Sequence, residues 1–158
     1  MIPPGGYRFD RFRVEVQSSD HRPFRATATV WFGTFFSGHL TETDVSASWT
    51  SATGRLTFAA EAIDDYARLK EGSFIARLWQ LRAVLAFSPT LQVSSFLQYD
   101  SGSRDVGVNT RLRWTLRPGT DLFVVWNRDA REPGDVQGLQ LRPHAEQLVV
   151  KLRATVRP

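Results

Sequence analysis

The chain has 158 residues, no cysteine, twenty Lys and Arg against sixteen Asp and Glu, and a formal net charge of +4. That length suits one domain, and the missing cysteines exclude a disulfide framework, a Cys-containing zinc site and cysteine catalysis. The basic residues are nearly all arginine, spread through every segment without a basic block, a pattern that argues against nucleic acid as a partner. No stretch approaches the ~20 apolar residues of a membrane-spanning helix.

Met1 to Gly6 has neither a basic nor an apolar region of the signal-peptide kind. The remainder alternates apolar and polar residues with a period of two, broken by turn residues. Residues 7–17 set Phe12, Val14 and Val16 against Arg11, Arg13 and Glu15, ahead of a turn at 18–23. Residues 24–32 set Ala26, Ala28, Val30 and Phe32 against Arg25, Thr27 and Thr29. A loop is expected at 33–39. Residues 40–50 place Val45, Ala47 and Trp49 opposite Glu42, Asp44, Ser46 and Ser48, and 55–63 place Leu56, Phe58, Ala60 and Ala62 opposite Thr57 and Glu61. A second loop is expected at 64–72.

Residues 73–87 fit two patterns. Ile75, Trp79, Leu81, Ala83, Leu85 and Phe87 share one face of a strand, while Phe74, Leu78, Leu81 and Leu85 share a helical stripe. The strand is favoured because Gln80 and Arg82 fall on its polar face and Ser88-Pro89-Thr90 makes a turn. Strands follow at 91–100, 105–116, 122–127 and 146–156, with a loop over 128–145. In 105–116, Val106, Val108, Leu112 and Trp114 alternate with Gly107, Asn109, Arg111 and Arg113. The expected fold is all-β: an antiparallel meander of eight or nine strands forming all or part of an outer-membrane-type β-barrel, as a single domain over residues 1–158.

Three features point the apolar face at lipid rather than into a soluble core. Arg111, Arg113, Lys151 and Arg153 stand mid-strand on polar faces, where they form a basic lumen ladder or pair with Glu42, Asp44 and Glu61. Trp49, Phe87 and Trp114 fall near compact turns, and Tyr99 and Trp126 near the opposite ends, as two membrane-interface girdles would. Compact turns at 18–23, 51–54, 88–90 and 117–121 alternate with connections at 33–39, 64–72, 101–104 and 128–145 that are longer on the whole. Nine strands with compact turns in the periplasm put the two chain ends on opposite sides, so a piece of a longer barrel is expected.

Gly6-Tyr7-Arg8-Phe9-Asp10-Arg11, Ser95 to Asp100, Asn109 to Trp114 and Arg117 to Asn127 resemble the C-terminal barrel of the carbohydrate-binding-family-9-like domain proteins of the DUF5916 type. The resemblance implies an outer-membrane barrel behind a secreted sandwich domain, a lipid-bilayer partner and a role in uptake or surface capture of carbohydrate. It also implies a terminal aromatic, where this chain has Arg157-Pro158. A soluble binding module and a glycoside-hydrolase-associated protein are the alternatives.

No catalytic residues are assigned, and no cofactor or metal is expected. His21, His39 and His144 lack a ligand spacing. Asp64 and Asp65, with Glu61, read as a solvated loop; neighbouring positions of a strand would point them to opposite sides, unlike a hydrolase pair. Oligomeric state is left open.

Overall fold

The computed structural model describes residues 4–19, 21–131 and 141–155. They form one nine-stranded antiparallel sheet in sequential order: β1 Arg11–Gln17, β2 Phe24–Phe35, β3 Gly38–Thr50, β4 Leu56–Leu69, β5 Gly72–Ser88, β6 Leu91–Asp100, β7 Asp105–Arg117, β8 Thr120–Arg131 and β9 Arg142–Ala154. β1 and β9 do not pair with each other, so the sheet is open at both edges.

Residues 72–88 are strand, which settles their two-way pattern. Alternation decides it: Trp79, Leu81 and Leu85 lie opposite Tyr99, Leu97 and Val93, while Gln80 meets Gln98 on the other face.

Two expected loops prove to be strand. β2 runs on to Phe35, and β3 starts at Gly38 after a two-residue turn, Phe36–Ser37. The glycines that suggested a loop answer a need for close backbone approach. A Cβ on Gly33 would fall on the Asp10 carbonyl oxygen, and one on Gly38 on the Arg68 carbonyl oxygen. Phe36 takes the positive φ of the turn, at 47°. β4 likewise continues through Asp64 and Asp65 to Leu69, because both carboxylates find cross-strand positions, opposite Arg77 and Ala76. The 128–145 connection also shrinks, since β8 reaches Arg131 and β9 begins at Arg142. At the other extreme, β1 starts at Arg11 and Tyr7 to Asp10 are not strand.

These shifts remove the expected difference in connection length. The near end of the sheet carries the turns at 18–23, 51–55, 89–90 and 118–119. The far end carries two two-residue turns, Phe36–Ser37 and Lys70–Glu71, besides residues 101–104. Both ends therefore hold compact hairpins. Val156, Arg157 and Pro158 lie outside the described residues, as does most of the 128–145 connection.

Register gives the sheet its slant. Val16 is linked by successive pairings through Ala28, Val45, Ala62, Trp79, Tyr99 and Val106 to Ala130. Val16 lies one residue from the near end of β1, and Ala130 lies ten from the near end of β8. Nine residues over seven pairings is about 1.3 residues per pairing; with ~3.4 Å per residue and ~4.8 Å between strands, the strands incline by about 40°. That matches the 35–45° tilt of closed barrels.

The sheet has almost no interior. Leu40 and Ala67 are the only buried hydrophobic residues among those described. Val45, Trp49, Phe58, Trp79 and Leu81 are all 39–45% exposed, while Glu42, Asp44, Ser46 and Ser48 on the opposite face of β3 are half-buried. The polar face is thus the more sheltered one, the reverse of a soluble sandwich layer.

Two consequences are measurable. Gly38→Ala should cost about 1–3 kcal/mol, because the backbone carbonyl it meets cannot swing aside, whereas Gly6→Ala, with nothing within 4 Å, should be neutral in denaturant titrations. At the far end, Ser37 donates its hydroxyl to Glu71 and accepts the Lys70 amide at 3.2 Å, tying two hairpin tips together. The Ser37 hydrogen bond holds the exposed Glu71 carboxyl below its ordinary range. A depressed carboxyl stabilises the fold above its unfolded value and loses that contribution as pH falls through the folded one. Hydrogen-exchange protection of the Lys70 amide should therefore drop at acid pH, and Ser37→Ala should abolish the pH dependence.

Candidate functional site

The apolar face holds a band bounded by aromatic residues. One line, within three residues of the near ends, contains Phe24, Trp49, Phe58, Phe87 and Trp114. A second, six to nine residues from those ends, contains Phe32, Trp79, Tyr99 and Trp126. Alternation and pairing put all of them but Phe87 on one face, with Trp49 and Phe58 stacked at 6.3 Å and Trp79 against Tyr99 at 5.7 Å; Phe87 is the unpaired residue of the register shift between Ala86 and Ser88.

Between the lines, no charged side chain stands on this face of β2–β8. The residues there include Ala26, Val45, Ala60, Leu81, Leu97, Leu112 and Val124. Ser95 and Thr110 sit in the middle of the band and hydrogen-bond to each other at 3.0 Å, so each hydroxyl has a partner without water. On β5 the two lines are eight residues apart, from Trp79 to Phe87. That is ~27 Å along the strand and ~21 Å across an inclined band, close to the ~25 Å apolar belt of an outer-membrane barrel.

The far line slants with the backbone. Phe32 lies four residues beyond the Val16–Ala130 rung, Trp79 and Tyr99 lie on it, and Trp126 lies four residues short of it. A fall of eight residues over six pairings again gives about 1.3 per pairing, so at a ~40° tilt this line runs level.

Polar groups mark the same boundary. The Trp79 indole donates to Asp64 Oδ1 at 3.2 Å, and Asp64 also faces Arg77 Nε at 3.6 Å. The Trp126 indole donates to Glu146 Oε1 at 2.8 Å. Each tryptophan thus lays its ring on the band and turns its N–H toward charge, the arrangement that suits an interface between an apolar layer and water.

Of the expected girdle residues, Trp49, Tyr99, Trp114 and Trp126 lie on this face, and Phe87 lies at the register shift near the end of β5. Trp126 stands five residues before the end of β8 rather than beside the loop, because β8 is longer than its sequence pattern indicated. Trp79, Phe58 and the carboxylates of Asp64 and Glu146 escaped the sequence reading. The signal for Trp79 was its place in the strand pattern of 73–87, and that for Asp64 was masked by reading Asp64-Asp65 as a loop.

The polar face carries the charged groups. Arg11 pairs with Glu42, and Arg11 and Arg13 lie over the Trp31 ring with their guanidinium carbons 5.3 and 5.4 Å from its centroid. Arg82 lies over Phe96 at 5.5 Å. Gln80 bonds Gln98 at 3.3 Å, and Asn109 donates to Asn127.

The expected basic ladder is on this face, split across β8: Arg111 and Arg113 on β7, Lys151 and Arg153 on β9. Arg111 is opposite Val125, which is opposite Val149; Arg113 is opposite Phe123, which is opposite Lys151. Arg153 faces Asp121. Asp121 accepts from Thr115 Oγ1 at 2.6 Å and reaches Arg113 Nη2 at 3.4 Å. Glu42, Asp44 and Glu61 lie on β3 and β4, at least three strands away, and do not pair with the ladder.

Toward the far end, β6, β7 and β8 present Asp100, Asp105 and Asp129, with Asp105 paired to Arg131 at 2.7 and 3.1 Å. Asp64 and Asp65 point to opposite faces, while Asp65 and Glu61 share the polar one. His21, His39 and His144 fall in the β1–β2 turn, on β3 and on β9. Among the described residues, no three of His, Asp and Glu gather into a metal-binding group.

No family model matches the sequence, and no curated protein or solved structure matches it either. Asp64→Ala strips both the Trp79 indole and Arg77 of their acceptor and should cost about 1–2 kcal/mol. Asp64→Asn keeps an acceptor oxygen and should lose less, as read by unfolding in detergent micelles.

Proposed function

We propose that this sheet is a wall of a membrane-spanning β-barrel of the outer-membrane type, with its apolar face toward lipid and its polar face toward a water-filled lumen. The carrying observation is the coincidence of two slants: an aromatic-bounded apolar band crosses the strands at the same ~40° by which register inclines them. A soluble layer has no need for its apolar stripe to follow strand tilt, whereas a bilayer imposes a level belt.

Energetics favour the same reading. About twenty large apolar side chains on this face are roughly half-exposed; at ~1.5–3 kcal/mol for full burial of each, covering them is worth ~15–30 kcal/mol. That exceeds the ~5–15 kcal/mol net stability of an ordinary domain. Lipid covers such a face without a second protein layer. Backbone groups at the β1 and β9 edges must also be satisfied inside a bilayer. After nine antiparallel strands β1 and β9 run in the same direction, so wholly antiparallel closure takes an odd number of additional strands.

The lumen role we propose is the carbohydrate uptake or capture that the resemblance implies. The amides of Gln98, Asn109, Asn127 and Gln147 and the ring of Phe96 line one hollow of the polar face. These are groups that accept sugar hydroxyls and C–H faces.

Refolding into detergent micelles or phosphatidylcholine vesicles should give a β-sheet spectrum and heat-modifiable gel migration. Leu97→Arg, in mid-band, should cost about 2–4 kcal/mol, and Gln98→Arg, one residue on and facing the lumen, should be tolerated. A chain that stays soluble, monomeric and folded in plain buffer would sink the proposal.

A further inference from the structure

Arg111, Arg113 and Arg153 line a single hollow of about 370 Å³ on the polar face, together with Gln92, Ser94 and Asp121. We propose that this hollow binds an oxyanion group (phosphate, sulfate or carboxylate), either as a free anion or as a substituent on a carbohydrate. The inference rests on the lumen reading and names the ligand chemistry within it.

Charge balance is the first argument. Three guanidinium groups share the hollow with one carboxylate, and Asp121 is engaged by Thr115 and Arg113. Among the described residues, the side chains of Arg111, Lys151 and Arg153 have no ion pair or hydrogen bond, and Arg153 shares the field of Asp121 opposite it with Arg113. Elsewhere on this face the arginines are better matched: Arg11 has Glu42, Arg13 has Glu15, Arg131 has Asp105, and Arg82 has the Phe96 ring. Arg25, in a separate hollow with Glu61, stands alone, whereas Arg111, Lys151 and Arg153 gather unpaired positive charge on the two strands either side of β8.

The surroundings sharpen its field. Phe123 and Val125 separate the two basic strands on the same face, with Val149 beside Val125. A low-polarity floor between like charges focuses their potential outward into the hollow. Guanidinium forks match the oxygen pairs of a phosphate, sulfate or carboxylate, and Ser94 and Gln92 add neutral donors at the rim. Farther along the same strands, Asp100, Asp105 and Asp129 reverse the sign, so an anion on this face is driven toward the near end.

The test uses the full chain in detergent micelles, with calorimetric titration of inorganic phosphate, dextran sulfate and neutral dextran. Saturable binding of both anions is expected; binding of dextran sulfate alone also supports the site and assigns the oxyanion to a polysaccharide. Arg111→Gln combined with Arg153→Gln should weaken binding at least tenfold. Asp121→Asn, which removes the competing carboxylate, should tighten it severalfold, and this keeps the test decisive should the double variant fail to fold. Arg25→Gln, in a separate hollow of the same face, should leave affinity unchanged. No saturable anion binding, equal binding of neutral dextran, or an equal loss in Arg25→Gln would overturn the inference. Heat-modifiable migration is scored on the same samples: a chain that inserts and binds no anion refutes this site alone, and a chain that fails to insert refutes the lumen reading.

Discussion

The backbone ladder between neighbouring strands is the constraint on which everything else depends. Each pairing is offset from the last by about 1.3 residues, and that stagger inclines the strands, aligns the aromatic lines and separates the two faces. A slip of one residue at any pairing would carry a whole strand's apolar set to the polar side. Gly33 and Gly38 protect the register at the β1–β2 and β3–β4 pairings, where a side chain would collide with a neighbouring carbonyl. Where the register shifts, at Ala86/Ser88, Thr115/Arg117 and Asp129/Ala130, it does so at or near strand ends.

Within that frame the two faces solve opposite problems. Inside the band of the apolar face, Ser95 and Thr110 satisfy each other, and the Trp79 and Trp126 indoles meet carboxylates at the boundary. The polar face arranges charge along its length as well as across it. Basic groups collect on β7 and β9 toward the near end, and acidic and amide groups collect toward the far end of β6–β9. In the lumen proposed above, such a division would sort charged or polar solutes along the wall.

The strand count, the antiparallel order and the membership of each face were legible in the sequence, because a period of two survives in nearly every segment. Residues 105–116 show it best. Strand ends were less legible. Asp64-Asp65 and the glycines at 33 and 38 carry the composition of turns, yet they occupy ladder positions because Arg77, Trp79 and the carbonyls of Asp10 and Arg68 lie across from them. Connection lengths inferred from that composition were wrong for the same reason.

The basic ladder was legible residue by residue, since Arg111, Arg113, Lys151 and Arg153 all occupy polar positions. Its division into two strands flanking Phe123 and Val125, its distance from Glu42, Asp44 and Glu61, and its single ion pair were not. By itself, the sequence determined an all-β meander with one apolar and one polar face, because alternation is a local property of each strand. Only the tertiary structure decided the stagger between strands. That stagger set which aromatics form a level line, which carboxylate each tryptophan meets and which arginines share a hollow. Those relations join residues far apart in the chain, and only the register of the ladder brings them together.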